Sequence, residues 1–258
     1  MLKLFTSVTV VAVTLLSAVP RAYGQYMSMF NSANLSAVNF AQTVGLNAAL
    51  GNSVEIAAAS SQSGGQSSDS SDWLAPTESA DTPYQPIYYS VDPAVRAGVV
   101  ETYMGRARAV DAAEGEALAQ VFRDRDLFSE TAQNFTVYGL DINDLGDVIT
   151  AYWAVNWGAV HQSGRPNVAQ VQGLRQQFRA ALAGSQIHSK TTPAERQQIA
   201  DDMLMRLILI DGGVEQGLRE GNAAQLQSIS DYVQRSSLSS MGIDLAALDL
   251  TTEGLALR

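Results

Sequence analysis

A chain of 258 residues with 46% apolar side chains can bury a core, in one domain or in one domain with an arm. Its 26 acidic residues against 16 basic ones repel phosphate backbones and anionic lipids, so neither nucleic acid nor a membrane surface is an expected partner. With no cysteine at all it forms no disulfide, and packing alone must hold it together.

Residues 1–24, MLKLFTSVTVVAVTLLSAVPRAYG, set Lys3 ahead of an apolar run from Leu4 to Val19 and close on Ala22 and Gly24 in an A-x-G pattern. That is the plan of a cleavable secretory signal peptide. Read instead as a membrane anchor, the run is shorter than the ~20 residues a span needs and is broken by Thr and Ser. Cleavage removes Lys3 and Arg21 and leaves a charge of 14 − 26 = −12. The chain is therefore expected to be exported, periplasmic or extracellular, with no membrane contact once the signal is gone. An exported protein without disulfides suits a bacterial envelope.

Residues 25–58 carry a single charge, Glu55, among Ala, Asn and Ser, and are expected to be weakly helical. Residues 59–82 are rich in Ser and Gly with little to bury, the composition of a disordered linker. Trp73 is the exception there and is expected to tuck onto the domain that follows. The helical domain itself is expected over 83–258. Pro83 and Pro86 enforce an extended approach, with Tyr84, Ile87, Tyr88 and Tyr89 available for docking.

Asp92 and Pro93 read as cap and first residue of a helix over 93–109, followed by a second over AAEGEALAQVFRDR (112–125). A short segment, 129–135, opens on a serine suited to capping. The next long helix starts near Asp141 or Asn143 and runs to about Gln162, with SGRP (163–166) as its stop. After it, Val168, Val171, Leu174, Phe178 and Leu182 form one stripe with glutamines opposite. Thr192, Pro193 and Glu195 combine a capping box with proline at the first helical position. That helix shows Ile199, Met203, Leu207, Ile210, Val214 and Leu218 on one face and ends at Gly221. The last opens on Asn222 and Gln225 and buries Leu226, Ile229 and Val233. No run of β-branched alternation appears over 90–258, so the expected fold is all-α, a bundle of about six helices.

Chemistry-bearing motifs are scarce. DINDLGD (141–147) fails as a calcium loop, because counting from Asp141 the fifth and twelfth positions hold Leu145 and Tyr152; its acids instead suit a helix start. His161 and His188 have no zinc spacing, and His161 suits the last turn of its helix. There is no nucleophile elbow and no phosphate loop, so no catalytic residue, metal or cofactor is implied. Asp201, Asp202, Asp211 and Glu215 leave open a paired-carboxylate hydrolase, if an opposing acid faces one of them across a cleft.

The segment AYWAVNW (151–157) carries the aromatic interest. On a wheel, Leu145, Val148, Ile149, Tyr152, Trp153, Val155, Ala159 and Val160 cover one apolar face, with Trp157 at its edge and Asn156 inside it. Asp144, Asp147, Thr150 and His161 lie opposite. A buried amide without a partner costs about 1–3 kcal/mol, so Asn156 needs one. The expectation is a central packing helix. The candidate ligand contacts, for a sugar- or peptide-like molecule, are Asn156, Trp153, Trp157 and Tyr152.

The stretch from Tyr138 to Gly158 carries Y-G-L, then D-L-x-D, then A-Y-W-x-x-x-W-G, matched by Tyr138, Gly139, Leu140, Asp144, Leu145, Asp147, Ala151, Tyr152, Trp153, Trp157 and Gly158. With TPAERQQIADDMLMRLILIDGGVEQG and the tail GIDLAALDLTTEGLAL it resembles, over roughly 84–257, a family of exported bacterial proteins known only as a domain of unknown function. The resemblance implies export, a bacterial source and the domain extent; no activity, cofactor or catalytic residue comes with it. The expected role is a non-enzymatic binding or interaction module of the bacterial envelope, with a protein or small molecule as partner. Two alternatives stay open: the carboxylate hydrolase, and a structural or assembly protein acting through segment 26–58.

Overall fold

The computed structural model describes residues 83–258 apart from 184, 186 and 242, so the expected signal peptide, the low-charge segment and the linker lie outside the described residues. Among the described residues there are eight α-helices: α1 (Pro93–Val110), α2 (Ala112–Asp124), α3 (Leu127–Val137), α4 (Leu145–Val160), α5 (Val168–Ala183), the single turn α6 (Ile187–Lys190), α7 (Pro193–Glu220) and α8 (Ala223–Met241). A 3₁₀ turn at Leu245–Ala247 leads into a two-stranded antiparallel hairpin, β1 (Leu248–Thr251) and β2 (Gly254–Leu257), with Leu250 opposite Leu255. The mostly helical fold agrees with the sequence reading; the hairpin is an addition that the reading lacks. No helix among the described residues is long and apolar enough to cross a membrane.

Local chemistry sets most of the helix ends. The Asp92 carboxylate accepts from Ala94 N with Pro93 in the first turn. Thr192 and Glu195 complete their capping box, and Gly221 closes α7 at φ 64°, the left-handed conformation that glycine adopts without a Cβ penalty. Two expectations shift. α3 begins two residues early, because Asp126 rather than Ser129 is its cap: Asp126 accepts from both the amide and the hydroxyl of Ser129. α4 starts at Leu145, capped by Asp144, and ends at Val160.

α4 and α7 pack along each other as the inner pair, with α5 and α8 against α4 and α1 against α7. The stripes largely bury as expected, but Val168 and Leu218 stay exposed, each at an element end. The larger difference is that α4 and α7 have no solvent face along most of their length. Asp147, Thr150 and Ala154 of α4 are buried on the side opposite its apolar face, as are Gln197, Asp201 and Met205 of α7. Upstream, residues 83–91 run extended across the start of α4. Ile87 O accepts from Leu145 N, Tyr89 N donates to Asn143 O, and Ile87 and Tyr89 are buried.

Candidate functional site

Three of the four aromatic-strip residues lie in the interior. Trp153 is 1%, Asn156 4% and Tyr152 7% exposed. Trp153 meets Tyr152 edge-on at 6.2 Å between centroids and Phe178 of α5 at 6.3 Å, the spacing of core aromatic pairs. Trp157, half-buried, turns to other work. Its ring lies 4.6 Å from that of His161, and its Nε1 donates to the Leu248 carbonyl at 3.0 Å. The four share one helix, and none of them borders either of the two cavities that adjoin Arg165 and Asp211.

Trp157 belongs to a clasp around the hairpin. The outward carbonyls of β1 are taken by Trp157 (Leu248) and by Gln170 Nε2 (Leu250, 2.6 Å). On β2, Gln177 accepts from Leu255 N at 2.9 Å and donates to Leu255 O at 3.0 Å. Both edges of a two-stranded sheet, which would otherwise present unpaired backbone groups, are capped by helix side chains. Of the glutamines expected on the solvent side of α5, Gln170 and Gln177 are partners of the hairpin and Gln172 donates to the Tyr138 carbonyl, while Gln176 is exposed as expected. His161 Nε2 lies 3.1 Å from the Leu245 carbonyl, which can only accept, so that nitrogen carries the proton. Nδ1 then accepts from Arg258 Nη2 at 2.9 Å. His161 thus ties down the C-terminal segment.

The acids of the D-L-x-D segment are structural. Asp144 accepts from the Tyr84 hydroxyl at 2.7 Å, from Ile87 N at 3.0 Å and from Gly146 N at 3.1 Å. Burial, and then this bond to Asp144, push the Tyr84 phenol well above its ordinary value. Asp147 has no exposed surface; it accepts from Arg175 Nε and Nη2, from Arg179 Nη2 and from Asp141 N. On α7, Asp201 is held by Arg96 and Gln197. Asp202 accepts from Tyr103 and from Arg206, the expected i,i+4 partner, now 3% exposed. No group of three or more His, Asp and Glu able to hold a metal ion occurs among the described residues.

The remaining two acids border open space. A cavity of about 110 Å³ lies between Phe122 and Leu118 of α2, Leu127 and Phe135 of α3, Ala151, Ala154 and Val155 of α4, and Leu207 and Ile208 of α7. Glu130, Thr131, Asn134, Arg165 and Asp211 are its polar lining. Arg165 and Asp211 also border, with Val155, an adjoining cavity of about 220 Å³ completed by Gly158, Gly164, Val214, Glu215 and the exposed Leu218. Arg165 donates through Nε to Asp211 Oδ1 at 3.1 Å and through Nη2 to Asp211 Oδ2 at 2.6 Å, while Glu215 Oε1 lies 2.8 Å from the same Nη2. Glu215 Oε2 is sealed from water with no hydrogen-bond partner. Burial raises the Glu215 carboxyl above the usual carboxylate range, and Asp211 adds to the rise against the pull of Arg165 and Arg219. The i,i+4 spacing of Asp211 and Glu215 is visible in the sequence; their cation, Arg165, sits in SGRP, where composition announces only a helix stop.

The family model described as a family of unknown function (DUF6683) matches residues 5–258, a span that includes residues 5–82 as well as the helical domain. No curated protein and no solved structure matches the chain.

Proposed function

The chain belongs to the DUF6683 family, and from the geometry of its pocket we propose that it is an exported, non-enzymatic binding module for a small molecule with an apolar body. The observation that carries this reading is the 110 Å³ cavity, lined mostly by apolar side chains of five helices, with Glu130, Thr131, Asn134, Arg165 and Asp211 as polar members of its lining. Protein interiors tolerate few voids larger than a water molecule, and an apolar concavity with a few convergent polar groups is the usual form of a ligand site. Its size approaches the ~150 Å³ of an engineered cavity that accepts benzene, which fits one aromatic ring or a short branched alkyl group. Export rests on the N-terminal pattern of Lys3, apolar run and Ala22-x-Gly24.

Ala154→Leu tests the reading by filling the cavity from α4. Calorimetric titration with ethylbenzene should show saturable binding to the parent and at least a tenfold loss in the variant, with the variant's cooperative unfolding retained. Equal binding by both proteins, or no binding by the parent, overturns it.

A further inference from the structure

We propose that the ligand carries a cationic amine, held in the 220 Å³ cavity by the Glu215 carboxylate while its apolar body fills the neighbouring one; this rests on the pocket reading above. The two cavities share Val155, Arg165 and Asp211 in their linings, so they adjoin along these side chains. The polar side chains of the 220 Å³ cavity are one cation, Arg165, and two carboxylates, Asp211 and Glu215. An anionic head would meet an excess of negative charge and a guanidinium whose Nε and Nη2 are already engaged. A cationic head meets the opposite situation. Glu215 uses Oε1 on Arg165 and leaves Oε2 without a donor, in a side chain only 14% exposed. Glu215 borders the 220 Å³ cavity, so an ammonium placed there has this carboxylate beside it. A charge-assisted bond from that ammonium to the carboxylate is of the stronger kind.

A set of matched probes tests this: 2-phenylethylamine, 2-phenylethanol and 3-phenylpropanoate, titrated calorimetrically into the purified protein at pH 7. The amine should bind at least about tenfold tighter than the alcohol, and the carboxylate weakest. In Glu215→Gln, the amine-to-alcohol affinity ratio should fall to near one. The parent protein gives a second measurement that needs no variant: its amine-to-alcohol ratio should rise with pH as Glu215 ionises. The titratable and charged groups facing Glu215 are Arg165 before α5, Asp211 and Arg219 on α7, and Tyr138 after α3; α4 contributes Val155, Gly158 and Ala159 there, none of which titrates. An amine that binds no tighter than the alcohol, or a preference unchanged in Glu215→Gln or flat with pH, overturns the amine assignment and leaves the pocket standing. If neither the alcohol nor the amine binds, the pocket reading falls with it.

Discussion

Replacing Asp147 by Asn should destabilise the domain strongly. The carboxylate has no exposed surface and accepts four hydrogen bonds: 2.8 and 2.6 Å from Arg175, 3.2 Å from Arg179 and 2.9 Å from the Asp141 amide. Oδ1 takes Arg175 Nε and Arg179 Nη2, whereas Oδ2 takes Arg175 Nη2 and Asp141 N. Whichever way an Asn amide is turned, its NH₂ group therefore faces a donor. Breaking a buried pair from one side costs about 3–5 kcal/mol, because the remaining charge is left uncompensated. Arg175 and Arg179 keep 19% and 32% of their side chains exposed and can turn partly to water, which puts the expected loss at the lower end, about 3 kcal/mol. For a domain of this size that corresponds to a fall in Tm of roughly 6–12 °C. Urea unfolding followed by circular dichroism at 222 nm reads the change directly. Glu116→Gln, at an exposed carboxylate paired with Arg108 and Arg123, is the control and should leave the midpoint where it was. A loss at Asp147 below about 1 kcal/mol, the level of an exposed pair, would refute the claim that this carboxylate organises the start of α4.

Three further outcomes follow from the structure. Gly173→Ala should destabilise by about 1–3 kcal/mol, since its Cβ would run into the Thr252 carbonyl, whereas Gly105→Ala, with nothing within 4 Å, should stabilise by about 0.5–1 kcal/mol; chemical denaturation that gives both the same sign would contradict the docking of the hairpin on α5. Trp157→Phe removes the donor to the Leu248 carbonyl and should cost about 1–3 kcal/mol, with proteolysis of the hairpin hastened before the rest of the domain is cut. At Glu215 the folded carboxyl is raised above its ordinary 4.5, so its contribution to stability is fullest below that value and is lost as pH rises through the folded one. The Tm of Glu215→Gln should accordingly gain on the parent between pH 4 and pH 7; a gap that does not change with pH would count against the burial of this group.

The helix starts at Asp92-Pro93 and Thr192 to Glu195, and the stop at Gly221, are legible in the sequence because a cap is a contact between residues two to four apart. The apolar stripe of α5 is legible for the same reason of period, from Val171 to Leu182. The polar residues are legible only as polar. Gln170 and Gln177 look like a solvated face, yet their partners are 80 and 78 residues away. A wheel assigns Asp147 to water because it takes one apolar face to be the whole of the burial, while Arg175, 28 residues on, makes the opposite face an interior too. The hairpin escapes notice because each strand has four residues, neither with β-branched alternation, and its edges are satisfied by side chains. At the pocket, Asp211 and Glu215 stand out as acids, but the cation between them comes from a loop 46 residues earlier than Asp211.

The clasp between α4, α5 and the hairpin also fixes an order of events in synthesis. Trp157, Gln170, Gln177 and His161 wait for partners 91, 80, 78 and 84 residues downstream, and Leu248, Leu250 and Leu255 complete the core beside them. A nascent chain whose residues 245–258 are still inside the ribosome can form its helices but not close this part of its interior. Each of these four side chains therefore lacks its native partner until residues 245–258 are made.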